Sequence, residues 1–86
     1  MEFYDKKIRV TAIWDSEAGV WVAASEDVPG LVTEADTSEQ LVQKLKVLIP
    51  ELLELNGMLS DVSLNSIPFH LLCERTEMIS YGKCNG

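Results

Sequence analysis

Basic residues are scarce in this sequence of 86 residues, which has 7 Lys and Arg against 14 Asp and Glu and a net charge of −7. Nucleic-acid affinity depends mainly on Lys and Arg side chains that neutralise phosphates. The composition therefore argues against direct nucleic-acid binding, including binding by a module shaped like a double-stranded-RNA-binding domain. It favours neutral or basic protein partners instead.

Long hydrophobic runs are also missing from the sequence. The start of the chain, Met1 to Lys7, is polar and charged, and no apolar stretch behind it is long enough for a signal peptide or a membrane span. We expect a cytoplasmic protein that does not contact a membrane. The length leaves room for one domain with one modest core, which we expect at residues 1–79, with residues 80–86 as a flexible tail.

Residue types that support catalysis or cofactor binding are few. The chain has one histidine, His70, and two cysteines, Cys73 and Cys84, and it contains no Gly-rich phosphate loop and no Cys-x-x-Cys motif. Residues three apart on a strand point to opposite faces, so His70 and Cys73 do not reach one metal ion. We expect no enzymatic activity, no cofactor and no metal site. Cys73 is predicted to be a buried thiol and Cys84 a tail thiol, without a disulfide between them.

Three strands are predicted before residue 36. In Lys7–Trp14 the apolar side chains alternate with polar ones, which is typical of a strand with one covered face. Val20–Ser25 is apolar at nearly every position, as in strands covered on both faces. Pro29-Gly30 predicts a type II turn that leads into a short third strand, Leu31–Ala35.

An amphipathic helix is predicted next. Thr37 and Gln40 have the spacing of a capping box, and Asn56-Gly57 has the character of a left-handed C-cap. Pro50 interrupts the pattern, so we expect either a kink there or a break that makes Pro50 the first residue of a second helix. The predicted buried stripe consists of leucines spaced three or four residues apart, namely Leu41, Leu45, Leu48, Leu52 and Leu55.

A fourth strand is predicted within Ile67–Arg75, where alternate residues from Ile67 to Cys73 share one face. A helical crossover from the third strand favours placing the fourth strand parallel to the first. The predicted fold is therefore α+β, a β-β-β-α-β chain with a four-stranded mixed sheet in the order 3-2-1-4 and one helix on one face. One helix covers one face, so we expect the apolar surface that remains to bind a partner.

This strand order is also the start of a ribonuclease-H-like sheet, so a metal-dependent nuclease has to be considered. Such an enzyme needs carboxylates that converge on two metal ions. The interiors of the first and fourth predicted strands contain no acid, so we do not expect nuclease activity.

Acidic residues cluster between residues 15 and 39, where the chain has no Lys or Arg. Solvated acidic loops are one interpretation, and an acidic rim that orients a basic protein partner is the other. Whether Trp21 faces the partner or the helix stays open from the pattern. The candidate partner-binding residues are Trp14, Asp15, Glu17, Trp21, Glu26, Asp27 and Glu34.

Four segments in order, Trp14–Ala23, Glu26–Leu31, Glu34–Thr37 and Pro50–Gly57, carry a resemblance. The sequence resembles the HicB-like antitoxin domain, which has a partial ribonuclease-H fold, over about Ile8 to Arg75. It is most similar to a short, uncharacterised branch of that group. About ten residues follow Arg75, so the resemblance does not extend to the C-terminal DNA-binding module of the group.

The resemblance implies a protein that neutralises a small basic toxin, one that cleaves messenger RNA, and that often oligomerises. Applied to this chain, it predicts a non-catalytic protein-binding domain with a basic protein partner. We also expect a homo-oligomer, with a dimer favoured. The alternative is an orphan homo-oligomeric domain without a toxin partner, whose open sheet face serves self-association.

Overall fold

Four strands and one helix follow one another in the predicted order. The structure is a computed structural model that describes residues 7–59 and 66–82. Cys84 and the end of the expected tail lie outside the described residues. The elements are β1 (Arg9–Asp15), β2 (Val20–Ala24), β3 (Val32–Ala35), α1 (Ser38–Leu55) and β4 (His70–Glu74).

The strands form one mixed sheet in the order β3-β2-β1-β4, which confirms the predicted topology. Strand β1 is antiparallel to β2 and parallel to β4, and β2 is antiparallel to β3. Ala12 lies at the centre of this arrangement, opposite Ala23 on one side and Cys73 on the other. The chain is therefore an α+β fold of the β-β-β-α-β type.

The hydrophobic core lies between the sheet and α1. The alternation predicted for the first strand is confirmed, because Ile8, Val10 and Ala12 are buried while Arg9 and Thr11 are exposed. The other buried residues come from β2, β3, the loop between them and α1, namely Ala23, Val28, Leu31, Ala35, Leu41, Leu45, Ile49 and Leu53.

The turn before β3 has the predicted conformation. The amide of Leu31 donates to the carbonyl of Val28 at 3.1 Å. Gly30 has φ +85°, which is the left-handed region that a type II turn requires at this position. The turn is followed by β3, which begins at Val32.

Thr37 is the N-cap of α1, which confirms the half of the predicted capping box in which the threonine side chain accepts a hydrogen bond. The amide of Gln40 donates to Thr37 Oγ1 at 3.1 Å, and Thr37 has extended backbone angles. The helix ends at Leu55 with a Schellman motif, in which Gly57 has φ +68° and the amide of Met58 donates to the carbonyl of Leu53 at 2.8 Å.

The buried stripe of α1 differs from the predicted one. Leu41 and Leu45 are buried as expected, but the stripe continues through Ile49 and Leu53. Leu48 and Leu52 are half-buried at its margin, and Leu55 is 78% exposed. A strict four-residue repeat replaces the alternating three-four repeat, so the predicted burial of Leu55 is wrong.

Pro50 does not divide the helix. Strong helix-forming residues surround it, and α1 is continuous from Ser38 to Leu55 with Pro50 inside. The predicted break, with Pro50 opening a second helix, is therefore wrong. The ring of Pro50 is half-buried, and its nitrogen has no hydrogen to donate to the preceding turn.

Two burial predictions for the sheet are also wrong. Cys73 shares the helix-side face with Leu71 but is exposed and free, because α1 packs on β3 and β2 and does not extend over β4. Strand β2 is not covered on both faces, since Val22 is half-buried and Ala24 is exposed on the side away from the helix.

Within residues 7–59 and 66–82, no helix has the length and apolar character needed to span a bilayer.

Candidate protein-binding surface

Within residues 7–59 and 66–82, no helix or strand covers the side of the sheet that faces away from α1, and we call this side the outer face. Side chains alternate between the two faces of a strand, so the register places residues from all four strands in rows across this face. One row consists of Leu72, Thr11, Ala24 and Val32, and the next consists of Glu74, Ile13, Val22 and Glu34.

The centre of the outer face is apolar. Val32 is 72% exposed, Leu72 is 59% exposed and Ile13 is 58% exposed. Val22 lies between Ile13 and β3, and Val20 lies beside it toward the β1–β2 hairpin, opposite Asp15; both are half-buried. These five residues form a strip that runs from one edge of the sheet to the other, and we call it the apolar strip. Apolar surface that is continuous in this way is typical of an interaction site.

Charge differs between the two ends of the outer face. The end near the β1–β2 hairpin carries exposed carboxylates on Asp15, Glu34 and Glu74. At the opposite end, Arg9 lies opposite His70. The apolar strip therefore lies between an end with three carboxylates and an end of mixed charge, where Arg9 lies near Glu26 and Asp27.

Two open depressions lie at the end that contains Arg9. One has a volume of about 460 Å³ and is lined by Arg9, Thr11 and the segment Ala24–Asp27. The other has a volume of about 270 Å³ and lies between β1 and β4, where Leu72 and His70 contribute to its wall. Both depressions border the apolar strip, so they can accept side chains of a protein that binds there.

Trp14 and Trp21 lie on the helix-side face instead of the outer face. Their rings meet edge to face with centroids 5.3 Å apart, and both side chains are half-buried. The guanidinium of Arg75 lies over the Trp14 ring at 4.5 Å from its centroid. Trp21 also packs against the buried core. These two candidates are therefore separated from the apolar strip by the thickness of the sheet.

Two of the candidate carboxylates make hydrogen bonds that shape the backbone. Asp15 Oδ1 accepts from the amides of Glu17 and Ala18 at 3.0 and 3.2 Å, which closes the β1–β2 hairpin. Asp27 Oδ2 accepts from the amide of Arg9 at 2.8 Å and so joins the β2–β3 loop to the start of β1. Each of these acids has a local structural role at an exposed position.

The acidic candidates are divided between the two ends of the sheet. Asp15, Glu17 and Glu34 lie at the hairpin end, whereas Glu26 and Asp27 lie in the loop at the opposite end. The sequence contained the signal for Ile13, which alternates with the buried Ala12. Alternation also separates Leu72 from Leu71 and Cys73, but the places of Leu72 beside Thr11 and of Val32 beside Ala24 depend on the pairing of strands and were not predictable.

The described residues contain no arrangement of three His, Cys, Asp or Glu that could hold a metal ion. His70 and Cys73 lie on opposite faces of the sheet, as the spacing predicts, since His70 is opposite Arg9 and Cys73 is opposite Ala12.

A comparison with protein families gives a match to a domain of unknown function, DUF1902, over residues 7–82. The chain belongs to this family. The DUF1902 domain thus includes every described element of the fold and the whole apolar strip.

One solved structure is similar to this DUF1902 chain in sequence and fold. It is the crystal structure of the hypothetical protein TTHA1013 from the extremely thermophilic bacterium Thermus thermophilus, which is 49% identical in sequence. The match covers 88% of this chain and 100% of the other, with a TM-score of 0.64. No curated protein matches the sequence.

Proposed function

We propose that this DUF1902 chain is a non-catalytic protein-binding domain whose outer sheet face binds a basic protein. The observation that carries the proposal is the apolar strip, in which Ile13, Val32 and Leu72 are each more than half exposed on a face without a helix. Covering these side chains with a partner removes apolar surface from water, and that gain drives association.

The acidic end of the outer face determines which kind of partner is favoured. Asp15, Glu34 and Glu74 lie within or beside the rows that hold the apolar strip. A basic partner is attracted to this end and oriented by it, while an acidic partner is repelled. The net charge of −7 acts in the same direction at longer range.

An antitoxin of the HicB-like type fits these properties. The resemblance to HicB-like domains implies a small basic toxin that cleaves messenger RNA as the partner, and such a protein has the charge that the outer face favours. The function proposed is therefore neutralisation of a toxin of this kind by masking its basic surface.

The test is co-expression of the full chain with a small basic protein encoded by an adjacent gene. We expect the two proteins to copurify. We also expect Val32→Lys to abolish the complex, because the substitution places a positive charge in the apolar strip. Val47→Lys is the matched control, since Val47 is 62% exposed on α1 and lies outside the outer face. It makes the same change in net charge and is expected to leave the complex intact.

Circular dichroism and thermal unfolding of both variants check that the domain remains folded. Equal binding by the wild-type chain and a folded Val32→Lys variant would show that the apolar strip is not the binding surface. An adjacent small basic protein that does not bind the wild-type chain would contradict the antitoxin role.

A further inference from the structure

Strand β4 presents an open edge. It is the last strand of the sheet, and β1 is its neighbour on one side only. The amide of His70 donates to the carbonyl of Ile8 at 2.9 Å, so His70 directs its backbone groups toward β1. Because backbone groups alternate in direction along a strand, Leu71 and Cys73 direct theirs away from the sheet. These outward groups are available to another strand.

The opposite edge of the sheet is protected. Strand β3 has only four residues, and Lys44 of α1 donates from Nζ to the carbonyl oxygen of Glu34 at 2.5 Å. Short edge strands and lysine side chains are common means of preventing unwanted strand pairing. The β4 edge has no equivalent contact among the described hydrogen bonds.

The chain beyond β4, residues 75–81, forms neither helix nor turn, and its residues are exposed. Arg75 forms an ion pair with Glu77, and side chains two residues apart share a side in an extended chain. Met78 is 89% exposed, Ile79 is 85% exposed and Tyr81 is 97% exposed. We call residues 71–81 the edge segment. It combines large exposed apolar side chains with a backbone that has no strand partner among the described residues beyond β1, and such an edge is a template for pairing with another chain.

We propose that two copies of this chain dimerise by antiparallel pairing of their edge segments about a two-fold axis at Thr76. An isologous contact of this kind joins the same edge of both copies and requires self-complementarity. The two four-stranded sheets then form one continuous sheet. This surface shares Leu72 with the apolar strip but otherwise consists of the edge of β4 and the residues that follow it, so the inference goes beyond the proposed function.

The pattern of residues favours an axis at Thr76 over one at Cys73, Glu74 or Arg75. Residues that lie directly opposite each other in an antiparallel pair have their side chains on the same face of the sheet. A two-fold axis perpendicular to the sheet meets this condition only where it passes between the two copies of one residue. An axis at Glu74 or Arg75 would oppose like charges directly, which is destabilising. An axis at Cys73 would leave Ile79 and Tyr81 without partners.

With the axis at Thr76, each Arg75 lies opposite the Glu77 of the other copy. Leu71 then lies opposite Tyr81, and Cys73 lies opposite Ile79. The two Arg75 and two Glu77 side chains form an alternating group of four charges, and Leu71, Cys73, Ile79 and Tyr81 pack against their counterparts on the helix side. Cross-strand pairs of opposite charge and of apolar side chains both stabilise a sheet.

The first experiment is sedimentation velocity of the full chain over a range of concentrations. We expect the wild-type chain to sediment as a dimer and the Ile79→Asp variant to sediment as a monomer. Because Ile79 is 85% exposed in the single chain, we expect the variant to unfold at the same temperature as the wild-type chain when both are compared at a concentration low enough to keep them monomeric. Val47→Asp, at a site on α1 that is 62% exposed, is the matched control and is expected to remain dimeric. A monomeric wild-type chain, or a dimer that Ile79→Asp leaves intact, would overturn the proposal.

A charge exchange tests the opposition of Arg75 and Glu77. Arg75→Glu and Glu77→Arg are each expected to lose the dimer, because each places like charges opposite one another. A mixture of the two variants is expected to form a heterodimer, since the carboxylate introduced at position 75 of one copy then faces the guanidinium introduced at position 77 of the other. Failure of the folded variants to associate on mixing would contradict the register.

Disulfide trapping tests the position of the axis. In a chain with Cys73→Ser and Cys84→Ser, Thr76→Cys places two thiols opposite each other at a non-hydrogen-bonded pair, where Cα atoms lie about 4.5 Å apart and a disulfide can form. We expect rapid crosslinking under mild oxidation. Ser80→Cys in the same background is the control, because its two copies would lie on opposite sides of the axis. Preferential crosslinking through Ser80→Cys would exclude an axis at Thr76.

Different variants test the proposed partner binding and the proposed dimer, so one proposal can be contradicted while the other holds. Ile79→Asp is expected to keep binding the basic partner through the apolar strip, and Val32→Lys is expected to keep the dimer. Loss of dimerisation in Val32→Lys would mean that the outer face forms the contact between copies, which would overturn the pairing of edge segments.

Discussion

Trp21 occupies the helix-side face of the sheet, where its ring meets Trp14 edge to face and packs against the core. The outer face carries the smaller Val22 next to it in sequence. Alternation along β2 therefore gives the two neighbouring residues different roles: Trp21 contributes to folding, and Val22 contributes to the exposed apolar strip.

We expect Trp21→Ala to reduce the free energy of unfolding by about 2–3 kcal/mol, toward the low end for a large aromatic side chain because the ring is half-buried. Urea denaturation monitored by circular dichroism measures this loss. Trp21→Phe keeps an aromatic ring against Trp14 and should lose less. A Trp21→Ala variant with unchanged stability but no partner binding would instead identify Trp21 as an interface residue.

Prediction from the sequence succeeds for residues whose environment follows from their own strand. Ile8, Val10 and Ala12 are buried as their alternation indicates. Cys73 has the same kind of pattern and is exposed, because its burial depends on how far α1 extends across the sheet. Alternation identifies the face of a residue, but it does not show whether another element covers that part of the face.

Helix α1 shows how local signals combine at the scale of an element. The capping residue Thr37 and the terminal Asn56-Gly57 pair bound the helix where the sequence predicts. The interior differs because tertiary packing outweighs the local effect of Pro50. Ile49 and Leu53 are both buried on either side of this residue, and their contacts with the sheet hold the helix continuous across it.

Pro50→Ala is expected to stabilise the domain by about 1–3 kcal/mol, because alanine supplies the missing backbone donor and removes the clash with the preceding turn. The measurement is the midpoint of chemical denaturation together with its slope. Glu51→Ala, at the exposed neighbouring position, is the control and should change stability by less than about 0.5 kcal/mol. A loss of stability in Pro50→Ala would show that packing of the proline ring outweighs its backbone cost.

The topology was predictable at the scale of elements because short connections and a helical crossover leave few arrangements. The residue-by-residue register between the strands was not predictable. Leu72 lies beside Thr11 on the outer face because of the β1–β4 register. In the sequence, however, β2, β3 and α1 lie between these two residues. The composition of the candidate surface therefore emerges only when the strands are placed next to each other.

The whole molecule has an uneven charge distribution around an apolar centre. Carboxylates of Glu34 and Glu74 lie at the two ends of the row that contains Ile13 and Val22. Solvent-exposed charges act mainly on the rate of encounter and are screened by salt. The apolar strip, in contrast, contributes to the lifetime of a complex once it has formed.

We expect Glu34→Gln combined with Glu74→Gln to slow association with the basic partner at low ionic strength and to change the dissociation rate little. Surface plasmon resonance between about 0.05 and 0.5 M salt measures both rates, and the difference from the wild-type chain should diminish as the Debye length shortens. Glu51→Gln combined with Glu54→Gln on α1 is the control with equal net charge. An equal effect in both double variants would indicate that only the total charge matters.

The contact between Lys44 and the Glu34 carbonyl has a consequence for how far assembly can proceed. Once two β4 strands have joined, the free borders of the combined eight-stranded sheet are both β3, and each is closed by its own lysine. No sheet edge of the dimer is therefore free to pair with a third chain and extend the sheet into a fibre. We expect a self-limiting particle of two chains, and removal of the lysine side chain is the change that would allow open-ended growth.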